Sequence, residues 1–269
     1  MLYWSVVKAI TSSHNDIYKN LKQLAGGAKY RRRDNQTLLE GIHLCESYLQ
    51  HVGQPLMYVY SHSAPENPEV AALMDTCDEL STPSILLSDS HFKALSTVDN
   101  GIGILFVVSI PSIEQLKIVQ KSALLLEDIQ DPGNMGAILR TAAAAGITEI
   151  YTSNGSTSAW SPKTLRAGMG AHFALTIYEN CNLAELITTA EVQILATSLG
   201  ATKSIYEKDL SQPTAWLLGN EGQGVSDTLL ALRVEKVIIP QNPGVESLNV
   251  AAATAVCLFE QMRQLHHNA

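Results

Sequence analysis

Only four cysteines, Cys45, Cys77, Cys181 and Cys257, are scattered over 269 residues, and no two form a C-x-x-C pair. That spacing argues against a zinc site or a disulfide framework and predicts reduced, mostly buried thiols, so no metal is expected. No apolar run reaches membrane-spanning length, and LYWSVVKAI at 2–10 is too short and interrupted for a signal peptide. Both absences predict a cytoplasmic protein with no membrane partner. Positive charge is scarce as well. The net charge is −8, which taken whole argues against nucleic acid as a partner. Two common phosphate-binding signatures are also missing: no Lys-Ser/Thr follows a glycine-rich turn, and no early G-x-G-x-x-G marks a dinucleotide fold.

The distribution of charge reverses the first impression. Residues 1–33 hold Lys8, Lys19, Lys22, Lys29, Arg31, Arg32 and Arg33 against Asp16 alone, and the remainder carries 11 basic and 25 acidic residues. A basic end on an acidic body is what a local phosphate-binding surface requires. Phosphate contacts dominate nucleic-acid affinity, so Arg31, Arg32 and Arg33 are expected to touch RNA, the alternative being a solvated charged turn.

Hydrophobic residues make up 46% of the chain and charged ones 16%, ample for one large domain or two ordinary ones. Over 10–23 the apolar spacing, with Ile10, Ile17 and Leu21, predicts a helix that Ser13 or Asn15 would cap. Short strands are expected at 37–39, 56–60, 85–87 and 102–110, with helices from Ile42, over 68–79 and over 88–96. Pro111-Ser112 marks a linker, followed by a polar stretch over 113–121. Beyond it, strands at 123–126, 149–152, 174–177, 192–197, 215–218 and 237–239 alternate with helices at 136–145, 162–169, 182–189, 226–233 and 247–264. Such alternation predicts an α/β fold with a mainly parallel sheet covered on both faces.

Three stretches of the second half share one plan of apolar strand, tight polar turn and helix. The first is LLLEDIQDPGNMGAILRTAAAA over 124–145, where a helix start with its free N–H groups lies next to Arg140 and suits an anion. The second is WLLGNEGQGVS over 216–226, and the third VIIPQNPGVESLNVAAATAVCLFE over 237–260. Singly, the second and third are ordinary turns, although glycines at 219, 222 and 224 allow close approach of a ligand to the backbone.

Taken in this order and spacing, N-x-G-x-x-x-R-T-A, L-G-N-E-G-x-G and I-P-x(6)-S-L-N-V resemble the motifs of the SpoU/TrmH family of RNA ribose 2'-O-methyltransferases. The resemblance covers roughly residues 120–265. It implies a SPOUT catalytic domain at 116–269 with a deep trefoil knot, preceded at 1–115 by a substrate-binding domain like the ribosomal L30e-type RNA-binding fold. LLEGIHL at 38–44 matches that smaller domain, and His43 within it is read as structural. The implied reaction moves a methyl group from S-adenosyl-L-methionine to a ribose 2'-hydroxyl of structured RNA, with 23S rRNA the favoured substrate, tRNA the alternative and a homodimer the working unit. A non-catalytic RNA-binding or ribosome-assembly protein of the same fold is the competing reading.

Carried over residue by residue, Asn134, Arg140, Glu221, Ser247 and Asn249 form the polar catalytic set. Leu199, Gly200, Gly219, Ile239 and Leu248 are expected to line the S-adenosylmethionine pocket. Arg166, in SPKTLRAGMGAHF, is a further phosphate candidate, although Gly168 stands where the family more often has Ser. A guanidinium essentially never deprotonates in a protein, so Arg140 is read as binding the phosphate beside the target ribose and stabilising the developing alkoxide, not as a base. Glu221 is expected to hold either that arginine or the turn. Asn134 serves as a cap, a ligand-loop residue or both, and Ser247 as the cap of the last helix. The small, apolar last helix is the expected dimer contact, and His266-His267 a frayed end.

Overall fold

The computed structural model describes residues 8–98, 101–114, 118–242, 244 and 247–267. Most of LYWSVVKAI, part of the 113–121 stretch and Pro243 lie outside those residues. The chain divides into two compact units. One contains the described residues up to Ser112 together with Trp160–Phe173, and the other contains Ile113–Ala159 and the chain from Ala174 on. The C-terminal half was expected to be one continuous stretch. Instead it gives up 160–173 to the N-terminal unit, where Thr37 Oγ1 donates to Trp160 O at 2.7 Å and Tyr48 meets Phe173 edge to face.

The N-terminal unit runs β1 (Lys8–Ile10), α1 (Asp16–Gly26), α2 (Ala28–Asp34), β2 (Gln36–Glu40), α3 (Ile42–His51), β3 (Met57–Ser61), α4 (Pro68–Glu79), β4 (Ser84–Leu87), α5 (Asp89–Lys93) and β5 (Ile104–Ser109). Its sheet order is β1-β4-β3-β5-β2, parallel from β1 to β3 and antiparallel from β3 to β2. Asn15 caps α1 by accepting from the N–H groups of Ile17 and Tyr18. Ile10, expected at the head of that helix, instead closes β1 and packs with Leu21, Leu24, Val59 and Leu105. The triple arginine is not a turn. It lies in α2, which ends at Asn35 in the left-handed conformation (φ 50°).

The C-terminal unit supplies β6 (Ala123–Leu126), α6 (Pro132–Ala144), β7 (Glu149–Ser153), β8 (Thr176–Cys181), α8 (Leu183–Thr189), β9 (Gln193–Thr197), β10 (Thr214–Leu218), α9 (Asp227–Leu230), β11 (Glu235–Val237) and α10 (Val250–His267); α7 (Pro162–Gly168) belongs to the other unit. All pairings in its six-stranded sheet, β11-β9-β10-β6-β7-β8, are parallel. Ala123, Leu125, Ala215 and Leu217 face one cluster with Tyr151, Leu186 and Ile194. Alternate residues such as Leu124 and Trp216 point to the opposite face, and both sets are fully buried. There Trp216 Nε1 donates to Gln261 Oε1 of α10 at 2.8 Å.

Several boundaries move for local reasons. α6 starts at Pro132 because Asp131 caps it, its Oδ1 accepting from Asn134 N at 2.8 Å, with proline where no N–H is needed. β8 starts at Thr176, α9 spans only 227–230, and β11 ends at Val237, so Ile239 lies past the strand.

Candidate functional site

The C-terminal ends of β6, β9, β10 and β11 carry the turns picked out by the sequence. Open parallel sheets bind ligands at this edge. After β9 and β11 a cavity of about 100 Å³ is lined by Thr197, Ser198, Leu199, Ile238, Ile239, Gln241, Ser247, Leu248 and Ala253. Leu199, Ile239 and Leu248, expected around a cofactor, therefore share one cavity, and Ser247 joins them. Gly200 and Gly219 are not among its lining residues. Leu199 is 62% exposed and Leu248 38%, so the cavity has a solvent-facing apolar rim that a bound ligand would cover. Apolar walls beside strand-end backbone suit the adenosyl group of S-adenosylmethionine.

Beside the third turn lies a polar cluster drawn from three parts of the chain. Asn134 Nδ2 donates to Glu221 Oε1 at 3.1 Å, and Asn249 Nδ2 donates to Asn134 Oδ1 at 2.9 Å. Glu221 also accepts from Gln130 N and Asp131 N, each at 3.2 Å. It thus holds the first turn, and no hydrogen bond or ion pair links it to Arg140. Partial burial alone would raise the pKa of this carboxylate. The donors around it, its own backbone N–H, Asn134, Asp131 and Gln130, outweigh that effect and hold it below the ordinary glutamate value.

Asn249, not Ser247, caps α10, its Oδ1 accepting from Ala251 N at 2.9 Å and Ala252 N at 3.3 Å. The reason is register. The helix starts at Val250, so only position 249 presents its side chain to the free N–H groups. Both ends of the Asn249 amide are thereby engaged. Since Ser247 and Leu248 line the cavity, the adjacent residues 247–249 join cavity and polar cluster.

The second turn is rigid. Asn220 Oδ1 accepts from Gly222 N and Gln223 N, and its Nδ2 donates to Asp128 O at 3.0 Å. A Cβ on Gly219 would lie 2.1 Å from Gly224 C and 2.2 Å from Val225 N, so only glycine fits where the turn folds back on itself. Asn220 lies outside the residues carried over from the family motifs, although Asn before Glu-Gly is a signal for a side-chain-closed turn. Asp131, the cap of α6, was readable in the same way as an acid directly before proline.

Arg140 projects from α6 into solvent, and among the described residues it forms no hydrogen bond or ion pair. The other arginines differ. Arg31 is 6% exposed and donates from Nη1 to Leu24 O at 2.7 Å, fastening α2 to α1. It cannot face RNA, which corrects the expectation for this residue. Because α2 packs against α1, the member of the run on that side turns inward. Arg33 is exposed but forks onto Asp34 at 2.6 and 2.8 Å, and Arg32 is exposed. Arg166 is half-buried in the N-terminal unit, donating to Thr97 Oγ1 at 2.6 Å.

Among the described residues no helix is long and apolar enough to cross a membrane, and no group of three or more His, Cys, Asp or Glu could hold a metal ion. All four cysteines are free and buried.

Comparison with known proteins agrees with the motifs. The model of the SpoU rRNA methylase family matches residues 121–259. A tRNA/rRNA methyltransferase of Synechocystis, itself uncharacterised, is 36% identical over 97% of this chain and 95% of its own length. The 23S rRNA (guanosine(2553)-2'-O)-methyltransferase of Bacillus subtilis is 30% identical over 94% of this chain and 98% of its own. Among solved structures, the AdoMet-bound rRNA methyltransferase from Sinorhizobium meliloti superposes with a TM-score of 0.77 at 26% identity, covering 96% of this chain and 98% of that one.

Proposed function

The chain belongs to the SpoU rRNA methylase family, and from that premise we propose that it methylates a ribose 2'-hydroxyl of ribosomal RNA, with 23S rRNA as substrate. The observation that carries this reading is the convergence of Asn134, Glu221 and Asn249 beside a cavity lined by Leu199, Ile239 and Leu248. When bound in the cavity lined by Leu199, Ile239 and Leu248, S-adenosylmethionine would supply an electrophilic methyl group to the ribose oxygen, with S-adenosylhomocysteine and the hydroxyl proton released.

The chain's own part is placement. Leu199, Ile239 and Leu248 cover the adenosyl group, and Gly219 presents backbone next to the turn. Glu221, fixed by four donors, holds Asn134, and Asn134 holds Asn249, so the polar wall is set before substrate arrives. Arg140, exposed and uncommitted, binds the phosphate beside the target ribose and stabilises charge on the attacking oxygen. In the N-terminal unit, exposed Lys22, Lys29 and Arg32 on α1 and α2 provide the surface for RNA phosphates.

The working unit is a homodimer in the cytoplasm. Ala252, Val256 and Phe259 recur at helical spacing along α10, and Phe259 is 47% exposed, an apolar stripe that a second copy would cover. The C-terminal unit forms a deep trefoil knot, as its membership of the family implies.

The test uses purified protein, methyl-labelled S-adenosylmethionine and total RNA lacking the modification. Alkaline hydrolysis follows, because a 2'-O-methyl group blocks cleavage at its own ribose. Label in alkali-resistant dinucleotides from 23S rRNA is expected. Label confined to tRNA would change the substrate, label in mononucleotides would mean base methylation, and no label on any RNA would favour a binding protein.

A further inference from the structure

The turn at 219–225 carries Gly219 and Glu221, yet both of its ends are held by one residue outside it. Glu127 directly follows β6. Its backbone N–H donates to Leu218 O at 2.8 Å, extending the β6–β10 ladder to the residue just before the turn. Its carboxylate grips the residue just after the turn: Oε2 accepts from Ser226 N at 2.8 Å and Oε1 from Ser226 Oγ at 2.6 Å. Ser226 Oγ in turn accepts from Leu229 N, so the same hydroxyl starts α9.

Glu221 crosses the other way, from the second turn onto Gln130, Asp131 and Asn134 of the first. Two neighbouring parallel strands therefore exchange carboxylates across their C-terminal ends. Hydrogen bonds to an ionised carboxylate are short and strong, and a two-point grip fixes direction as well as distance. Gly219 lies against Gly224 and Val225 with no room for a side chain, so a shift at the Ser226 end passes directly to the Gly219 backbone.

We propose that Glu127 is a positioning residue for methyl transfer: by closing the 219–225 turn at Ser226 it places the Gly219 backbone for the methyl donor and the Glu221 carboxylate for Asn134. This rests on the methyltransferase reading above. Glu127 touches neither substrate. It is also an acceptor pair that an amide imitates only by half, since the nitrogen of a Gln side chain cannot accept from Ser226.

The experiment measures S-adenosylmethionine binding by calorimetry, KM for each substrate, and melting temperature, for the wild type, Glu127→Ala, Glu127→Gln, Ser226→Ala and the pair E127A/S226A. Asn67→Ala serves as a stability control, because it removes a helix cap in the N-terminal unit where Asn67 Oδ1 accepts from Glu69 N. Glu127→Ala is expected to raise Kd and KM for S-adenosylmethionine roughly tenfold, about the size of one lost charge-assisted hydrogen bond, and to leave KM for RNA unchanged. Glu127→Gln falls between it and the wild type. In donor affinity the pair matches E127A alone, because the Ser226 hydroxyl acts on the turn only through Glu127, whereas the cap that Ser226 gives Leu229 is lost in addition and lowers only the melting temperature.

Wild-type Kd and KM in Glu127→Ala overturn the proposal, as do additive losses in the pair. An equal loss of donor affinity in Asn67→Ala would reduce the effect to general stability and also overturn it. If Glu127→Ala does not fold, Glu127→Gln and Ser226→Ala decide by the same criteria. A wild-type protein that neither binds nor consumes S-adenosylmethionine overturns the methyltransferase reading and this inference with it. An active wild type with unaffected Glu127 variants overturns the inference alone.

Discussion

The two units spend their clustered and lone arginines differently. In the N-terminal unit the arginine run is satisfied close by in sequence: Arg33 forks onto Asp34, and Arg31 folds back to Leu24 one helix away. In the C-terminal unit the partners come from 87 and 115 residues apart, Asn134 with Glu221 and Asn249 with Asn134, while Arg140 is left facing solvent. Of the three arginines in the run, one is spent inside the fold, one pairs with its neighbour and Arg32 is left exposed, whereas the lone Arg140 near a turn faces solvent. Local clusters tend to be used up by the structure that holds them. A cluster assembled from distant turns instead needs the whole sheet to exist, and here it adjoins the cavity.

The comparison can be broken first at Arg140. Arg140→Lys keeps the charge but loses the planar fork. Its kcat is expected to fall about 10²–10³-fold, as on removing a donor aimed at developing negative charge, with an unchanged melting temperature. Turnover near wild type would sink the assignment. The same measurement on Arg32→Ala should show normal kcat and a weaker salt dependence of RNA binding, its log–log slope smaller by about one.

Next comes the contrast between neighbours. Arg31→Ala removes a buried donor and should lower unfolding free energy in urea by about 1–3 kcal/mol, without changing the salt slope. Stability unchanged in Arg31→Ala would mean that its contact with Leu24 holds nothing.

Two glycines sharpen the same point. Gly219→Ala has no space for its Cβ and should cost about 1–3 kcal/mol as overpacking, together with affinity for S-adenosylmethionine. Gly26→Ala, at the end of α1 with no atom within 4 Å of its Cβ, should be neutral or slightly stabilising. Equal stability of the two variants in denaturant would refute the close approach at Gly219.

The smallest effect concerns pH. The pKa of Glu221 is depressed in the folded protein. Its ionised form therefore contributes stability that is fully present above the unfolded glutamate pKa and is lost as pH falls through the depressed value. Glu221→Gln should melt below wild type at neutral pH, and the gap should close under acid conditions. A gap that stays constant with pH would show that the charge is irrelevant and only the hydrogen bonds matter.

The order of strands and helices was largely legible in advance, because burial on both faces of a parallel sheet leaves continuous apolar runs such as Ala123–Leu126 and because Asn15 marks the start of α1; at α6 and α10 the caps are Asp131 and Asn249, where Asn134 and Ser247 were expected. The cavity residues Leu199, Ile239 and Leu248 and the polar residues Asn134, Glu221 and Asn249 were legible only through the family motifs. Nothing local in SLNV announces a partner at Asn134. Three things escaped altogether. The 160–173 stretch reads as part of the alternating C-terminal pattern, yet its packing lies with β2 and α3. The inward turn of Arg31 depends on where α2 crosses α1. The grip of Glu127 on Ser226 joins residues that meet only because β6 and β10 are neighbours.

Local propensity and periodicity act within a few residues, so the sequence by itself determined the elements, their caps and the chemical inventory of the three turns. Which side chains find each other, and which arginine is left facing solvent, depends on strand order and helix crossing. Tertiary structure alone decided those, because hydrogen bonds are short and directional and register only once the sheet has brought their partners within about 3 Å.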